Sequence, residues 1–199
     1  KDASGNDTYY HVLEKAECLK KAGVQFNVLT VVNSKTAPKI RRIYEQYRKL
    51  GFYWQQYIAC LDPIGKIQGE MEYSLTPELY GNFLIELFEL WEIDLKQGKQ
   101  PYIRQFENYI SILLGYMPES CEQRGICSFQ TVVEADGSVY PCDFYVLDEY
   151  KLGNLNENSF DEIQKKRNTI RFVENSYNHS SECRECKYFF ICRGGCRKH

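Results

Sequence analysis

The thiols in the last third of the chain constrain its fold more than any other feature. Seven cysteines, Cys121, Cys127, Cys142, Cys183, Cys186, Cys192 and Cys196, fall within 76 residues, and the tightest stretch reads C-RE-C-KYFFI-C-RGG-C. Soft thiolates select iron–sulfur clusters or zinc, so a bank this dense is read first as a metal-holding domain. Cys183 and Cys186, at C-x2-C spacing, let one turn aim two sulfurs at one site, and Cys192 adds a third within ten residues. Cys121 and Cys127 can be brought to Cys142 by a hairpin, because the intervening FQTVVEADGSVYP alternates around Asp136-Gly137, a strong tight-turn signal. Each sulfur must reach its metal at about 2.3 Å. Seven thiols are too many for one four-thiolate site, which implies two sites. In two-cluster ferredoxins the fourth cysteine of a run ligates the other cluster. By that precedent Cys196 can join Cys121, Cys127 and Cys142, leaving Cys183, Cys186 and Cys192 one ligand short. Structural zinc held by four thiolates would use the same residues, and spacing alone does not separate the two. A disulfide framework fits poorly, since nine cysteines is an odd number and the chain has enough apolar sequence for a core.

Composition narrows the partners. Hydrophobic residues make up 43% and charged ones 26%, as in a soluble globular protein, and 199 residues allow one large domain or two small ones. Lys and Arg number 25 against 27 Asp and Glu, which gives no basic character to argue for nucleic acid. No apolar run is long enough to span a membrane and no signal peptide opens the chain, so the cytoplasm is expected. The abrupt polar start, KDASGNDTYYHVLEK, suggests an excised fragment. The 16 Tyr and 11 Phe suit aromatic-rich cores and interfaces, with a groove for a substrate peptide as the alternative.

Upstream of the thiols the pattern is α/β. Residues 7–22 have helical apolar spacing, with Asp7 as a candidate cap and Gly23 as the stop. The β-branched run VQFNVLTVV (24–32) reads as a buried parallel strand, Pro38 opens a helix closed by Gly51, and FYWQQYIA (52–59) is a second strand. Two strands cannot close a sheet, so raw edges are expected. Cys18 and Cys60 read as buried bystander thiols. After a loop at 61–75, Thr76-Pro77 starts a long helix whose Leu79, Phe83, Leu84, Leu87, Phe88, Trp91 and Leu95 form one core stripe. A further helix at 103–114 carries Arg104 near its start, either in a surface ion pair or facing a carboxylate of cofactor or substrate. Ser159 caps a helix before the last thiols. Asp143, adjoining Cys142, is the first candidate base, because a carboxylate beside metal-bound thiolates has its proton affinity tuned by desolvation and charge. Asp136 and Asp148 are better explained by the turn and by solvent. No dinucleotide, Walker, zincin or nucleophile-elbow motif is present.

Taken together, C-x5-C-x14-C-D-F-Y-V-L-D, then L-G-N, then C-x2-C-x5-C-x3-C closely resembles the SPASM domain of radical SAM enzymes. Within that group, YPCDFYVLDEYKLGN is similar to the anaerobic sulfatase-maturating enzymes (arylsulfatase regulators), and the likeness extends upstream through FNVLTVV, the LDP loop, LFELW and IRQFENYI. The resemblance implies an α/β fold: residues 1–115 as the final strands and helices of a partial (β/α)6 barrel with linking helices, and 116–199 as a small cysteine-rich α+β SPASM domain with a β-hairpin, clipped at its end.

The implied activity is an S-adenosylmethionine-dependent oxidoreductase. A 5′-deoxyadenosyl radical takes a Cβ hydrogen from a Cys or Ser of an unfolded sulfatase peptide, and loss of an electron and a proton gives Cα-formylglycine. By the family pattern Cys121, Cys127, Cys142 and Cys196 hold one auxiliary [4Fe–4S] cluster. Cys183, Cys186 and Cys192 give three ligands of a second, and Asp143 matches the proposed proton acceptor. A third [4Fe–4S] cluster and S-adenosylmethionine belong to the intact enzyme, whose radical SAM cysteine motif is absent here, so the fragment alone is expected to be inactive. A reductant such as flavodoxin or ferredoxin is the implied partner. The competing readings are a SPASM enzyme that forms thioethers in peptides, and a zinc-stabilised peptide-binding module.

Overall fold

The computed structural model describes residues 4–198 and divides into two compact units. One comprises the chain up to Asp62 with Lys66–Gln105; the other comprises Phe106 onward with Pro63–Gly65.

The first unit is a parallel α/β layer. Helix α1 (Tyr9–Lys21) buries only Ala16. Thr8, rather than Asp7, holds the cap position, and Asp7 instead accepts the Tyr9 N–H at 2.9 Å. Cys18 is exposed, not buried as its apolar setting suggested. Two residues along a helix turn the side chain by about 200°, which carries Cys18 away from the Ala16 face. Strand β1 (Val28–Val32) pairs in parallel with β2 (Trp54–Ala59), from Val28 opposite Gln55 to Val32 opposite Ala59. The crossover is α2 (Ile40–Leu50), which buries Ile40 and Tyr44 and stops where Gly51 turns left-handed at φ 65°. Cys60 follows β2, half-buried, its N–H bonded to the Val32 carbonyl at 2.8 Å.

Helix α3 (Pro77–Lys96) starts as its sequence demands, with the Thr76 hydroxyl accepting the Leu79 N–H and Pro in the first turn. It buries Phe83, Leu87, Leu90, Trp91 and Asp94, one stripe at helical spacing; Phe88 and Leu95 lie outside it and are exposed. Asp94 is enclosed, with Tyr44 donating to it at 3.0 Å and the Arg48 and Lys99 cations each 3.5 Å away. A third parallel strand, β3 (Tyr102–Ile103), pairs with Trp54 and Gln55. At two residues it is too short to leave an alternating pattern. Arg104 opens α4 (Arg104–Leu113), with its Nε shielded from solvent.

In the second unit the hairpin forms where Asp136-Gly137 predicted it. Strands β4 (Val132–Val133) and β5 (Ser138–Tyr140) are antiparallel, and β6 (Gly153–Asn154) adds to the other side of β5. Asp136 holds the turn by accepting both the N–H (2.9 Å) and the hydroxyl (2.8 Å) of Ser138, and Gly137 takes φ 86°. Helix α6 (Phe160–Ile170) begins with a full capping box between Ser159 and Glu162. Its Ile163 clusters with Val139 and Leu152, and its Ile170 packs at the margin. Three short helices carry cysteines: α5 (Cys121–Arg124), α7 (Ser181–Glu185) and α8 (Phe189–Cys192). Among the described residues no helix is long and apolar enough to cross a membrane.

Candidate metal centre

Backbone packing that depends on glycine shapes the segments that carry four of the seven predicted ligands. Cys121 opens α5, and the approach to it is fixed by Asn108, whose Oδ1 accepts the N–H groups of Glu119 (2.6 Å) and Ser120 (3.3 Å). Helix α5 ends at Gly125, left-handed at φ 67° and pressed against Arg193. A β-carbon there would sit 1.8 Å from the Arg193 carbonyl oxygen, so no other residue fits. Arg193, Gly194 and Gly195 all have positive φ, at 55°, 86° and 72°, and this run turns the chain sharply between Cys192 and Cys196. Cys127 is held by its N–H to the Ser176 hydroxyl at 2.9 Å. Cys142 leaves β5 in extended conformation and heads a single turn, Asp143–Tyr145, with the Tyr145 N–H on its carbonyl at 3.0 Å.

Burial dominates the electrostatics of three of these thiols. Burial pushes the Cys127 thiol up; Ser176 opposes that, the Cys121 charge adds to it, and the Arg197 cation works against it. Cys196 is likewise raised, by burial first, with Cys121, Cys127 and Glu122 adding to it. Cys142 is pushed up to about 12 by burial, with its hydrogen bond to Asp143 (Sγ to Oδ1, 3.4 Å) and the charges of Asp143 and Cys196 contributing. Cys121 is thus among the neighbours that raise Cys127 and Cys196, and Cys196 among those that raise Cys142. Arg197 eases only part of the burden on Cys127, and the thiols themselves bring no positive charge. A metal centre supplies it and takes the sulfurs as thiolates, so the donor set fits a thiolate-ligated centre. Among the described residues no three His, Cys, Asp or Glu side chains converge tightly enough for a single metal ion.

The other three cysteines lie along α7 and α8, which pack on one another. Cys183 is half-buried, with its N–H on the Ser180 hydroxyl at 3.2 Å; Cys186 and Cys192 are exposed. All nine cysteines are free thiols. Asp143 is an exposed carboxylate beside Cys142. Asp136 belongs to the turn and Asp148 is exposed, as expected. Two features escaped the sequence reading. One is the fit of Gly125 against Arg193. The other is Arg197, which stacks over three aromatic rings beside Cys196; the only trace of it in the sequence is a cation following the last cysteine.

Comparison with known proteins agrees with the thiol pattern. Residues 121–187 match the family model for SPASM, an iron–sulfur cluster-binding domain. The whole chain is 42% identical to a Cysteine-type anaerobic sulfatase-maturating enzyme of Clostridium novyi (strain NT), covering 53% of that protein. It is 28% identical to a Serine-type anaerobic sulfatase-maturating enzyme of Bacteroides thetaiotaomicron, covering 51% of it. Among solved structures, native anSMEcpe with bound AdoMet and Cp18Cys peptide superposes over the whole chain with a TM-score of 0.91 at 42% identity, and the chain covers 55% of it. The resemblance read from the cysteines is thus to anaerobic sulfatase-maturating enzymes, and the chain spans about half the length of the curated relatives it matches.

Proposed function

We propose that this chain forms the cluster-bearing half of an S-adenosylmethionine-dependent oxidoreductase that converts a cysteine of a sulfatase peptide to Cα-formylglycine. The observation that carries this reading is whole-length similarity to Cysteine-type sulfatase-maturating enzymes at 42% identity, against 28% for the Serine-type relative. Residues 1–115 then correspond to the last strands and helices of a partial (β/α)6 barrel with linking helices, and residues 116–199 to the SPASM domain. Cys121, Cys127, Cys142 and Cys196 hold one auxiliary [4Fe–4S] cluster; Cys183, Cys186 and Cys192 give three ligands of a second whose fourth comes from elsewhere. Zinc can take these thiols when iron and sulfide are scarce. When bound, the clusters supply one-electron redox capacity.

The chain's own residues orient and deprotonate. The Gly125–Arg193 contact and the Arg193–Gly195 turn hold the four sulfurs in place. Asp143, exposed and adjoining Cys142, accepts the proton that the substrate loses as it is oxidised; its exposure gives a peptide direct access. A small reductant protein of the flavodoxin or ferredoxin kind is the expected partner, and the cytoplasm the expected compartment.

A chimera tests the reading: this chain replaces the matching half of the Clostridium novyi enzyme, and a sulfatase-type cysteine peptide is assayed by mass spectrometry. Conversion to formylglycine is expected, and Asp143→Asn should slow it roughly 100-fold or more. A chimera that carries its iron and sulfide yet leaves the peptide unchanged would overturn the assignment.

A further inference from the structure

Resting on the cluster assignment above, we propose that Arg197 is a positioning residue for the four-thiol centre: a fixed cation, caged by Tyr145, Tyr150 and Phe172, that raises the reduction potential of the cluster held by Cys121, Cys127, Cys142 and Cys196. The cage is specific. The guanidinium carbon lies 4.8 Å from the Phe172 ring centre, 5.5 Å from Tyr145 and 5.8 Å from Tyr150. The three rings pack edge-to-face on one another, with centres 5.0 to 5.7 Å apart. One guanidinium nitrogen donates to the Phe172 carbonyl at 3.0 Å, and the Tyr145 hydroxyl donates back to the Arg197 carbonyl at 3.2 Å. Tyr145 and Phe172 are buried, so the cage has rigid walls.

Two features separate this from ordinary packing. First, among the described residues Arg197 enters no ion pair, so its charge is stabilised by ring faces and a carbonyl and is not cancelled by a carboxylate. Second, it adjoins Cys196, and its cage includes Tyr145, whose N–H bonds the Cys142 carbonyl. An arginine stays charged under all working conditions. A four-thiolate cluster is anionic and becomes more so on reduction, and net charge and solvent exposure set its potential. A cation fixed beside a ligand of the cluster favours the reduced form. The aromatic cage keeps that cation from swinging into water.

The test uses the full chain with Cys183→Ser, Cys186→Ser and Cys192→Ser, which leaves one thiol set, reconstituted anaerobically. Iron and sulfide are counted first: zinc, or iron without sulfide, overturns the cluster reading itself and this proposal with it. With the cluster present, a potentiometric titration followed by electron paramagnetic resonance reads the inference alone. Arg197→Gln should shift the potential negative at unchanged iron content, and Arg197→Lys, which keeps the charge, should shift it less. An unchanged potential in Arg197→Gln overturns the proposal, because a purely structural arginine would lower iron loading or the melting temperature without moving the potential of what remains. Should Arg197→Gln yield too little cluster to titrate, Tyr150→Leu opens the cage while keeping the charge. A negative shift there supports the proposal and no shift overturns it.

Discussion

At the scale of single residues, the centre depends on a contact that removes all freedom of choice at Gly125. A β-carbon at that position would meet the Arg193 carbonyl oxygen at 1.8 Å, and the backbone is left-handed besides. Gly125→Ala should therefore cost upwards of ~2 kcal/mol in the urea unfolding of the second unit and lower its iron content. Gly115→Ala makes the control within the same unit: Gly115 is also left-handed, at φ 83°, but nothing lies within 4 Å of its missing β-carbon, so about 1 kcal/mol is expected. Equal losses in the two variants would mean that the Arg193 contact contributes nothing. The SPASM resemblance was legible because thiol spacing carries its chemistry on its face. Gly125 was not, because what makes a glycine necessary here is a residue 68 positions away that packs on it.

At the scale of elements, local chemistry was the readable part. Thr76-Pro77, Ser159 and Asp136-Gly137 each start a helix or turn through their own side chains, and each does so here. Strand β3 was missed because two residues show no period, and α1 misled because its apolar spacing is real while its burial is slight. Loss of the Ser159 hydroxyl in Ser159→Ala should lower stability by about 1 kcal/mol, seen as an earlier urea midpoint. Ser159 also holds the Glu162 carboxyl below its ordinary range, as Ser138 does for Asp136. A carboxylate whose folded pKa is depressed adds stability above its unfolded value, near pH 4, and loses it as pH falls through the folded value. The gap in urea midpoint between the parent chain and Asp136→Asn should thus be present at neutral pH and close below about pH 4. A gap that widened in acid would contradict the assigned hydrogen bonds. In the first unit Tyr44→Phe, which removes the donor to buried Asp94, should cost about 2 kcal/mol, because the acceptor is charged.

At the scale of the whole molecule, the sequence offered seven thiols and more than one way to group them. Pairing across 76 residues is set by tertiary packing, and spacing records only local reach. The four-and-three division is a proposal: Cys121 and Cys127 neighbour Cys196 electrically and Cys196 neighbours Cys142, while α8, which carries Cys192, packs on both α5 and α7. The family match ends at residue 187, before Cys196, and the Arg193–Gly195 turn sets where the chain carries this last sulfur. The most direct test is iron and acid-labile sulfide per chain after anaerobic reconstitution, measured for the parent, for Cys142→Ser, and for the triple variant Cys183→Ser, Cys186→Ser, Cys192→Ser. The expected result is that the triple variant keeps about one four-iron cluster with matching sulfide, whereas Cys142→Ser loses that share. Zinc without sulfide in every sample, or a cluster that survives Cys142→Ser and vanishes in the triple variant, would contradict it.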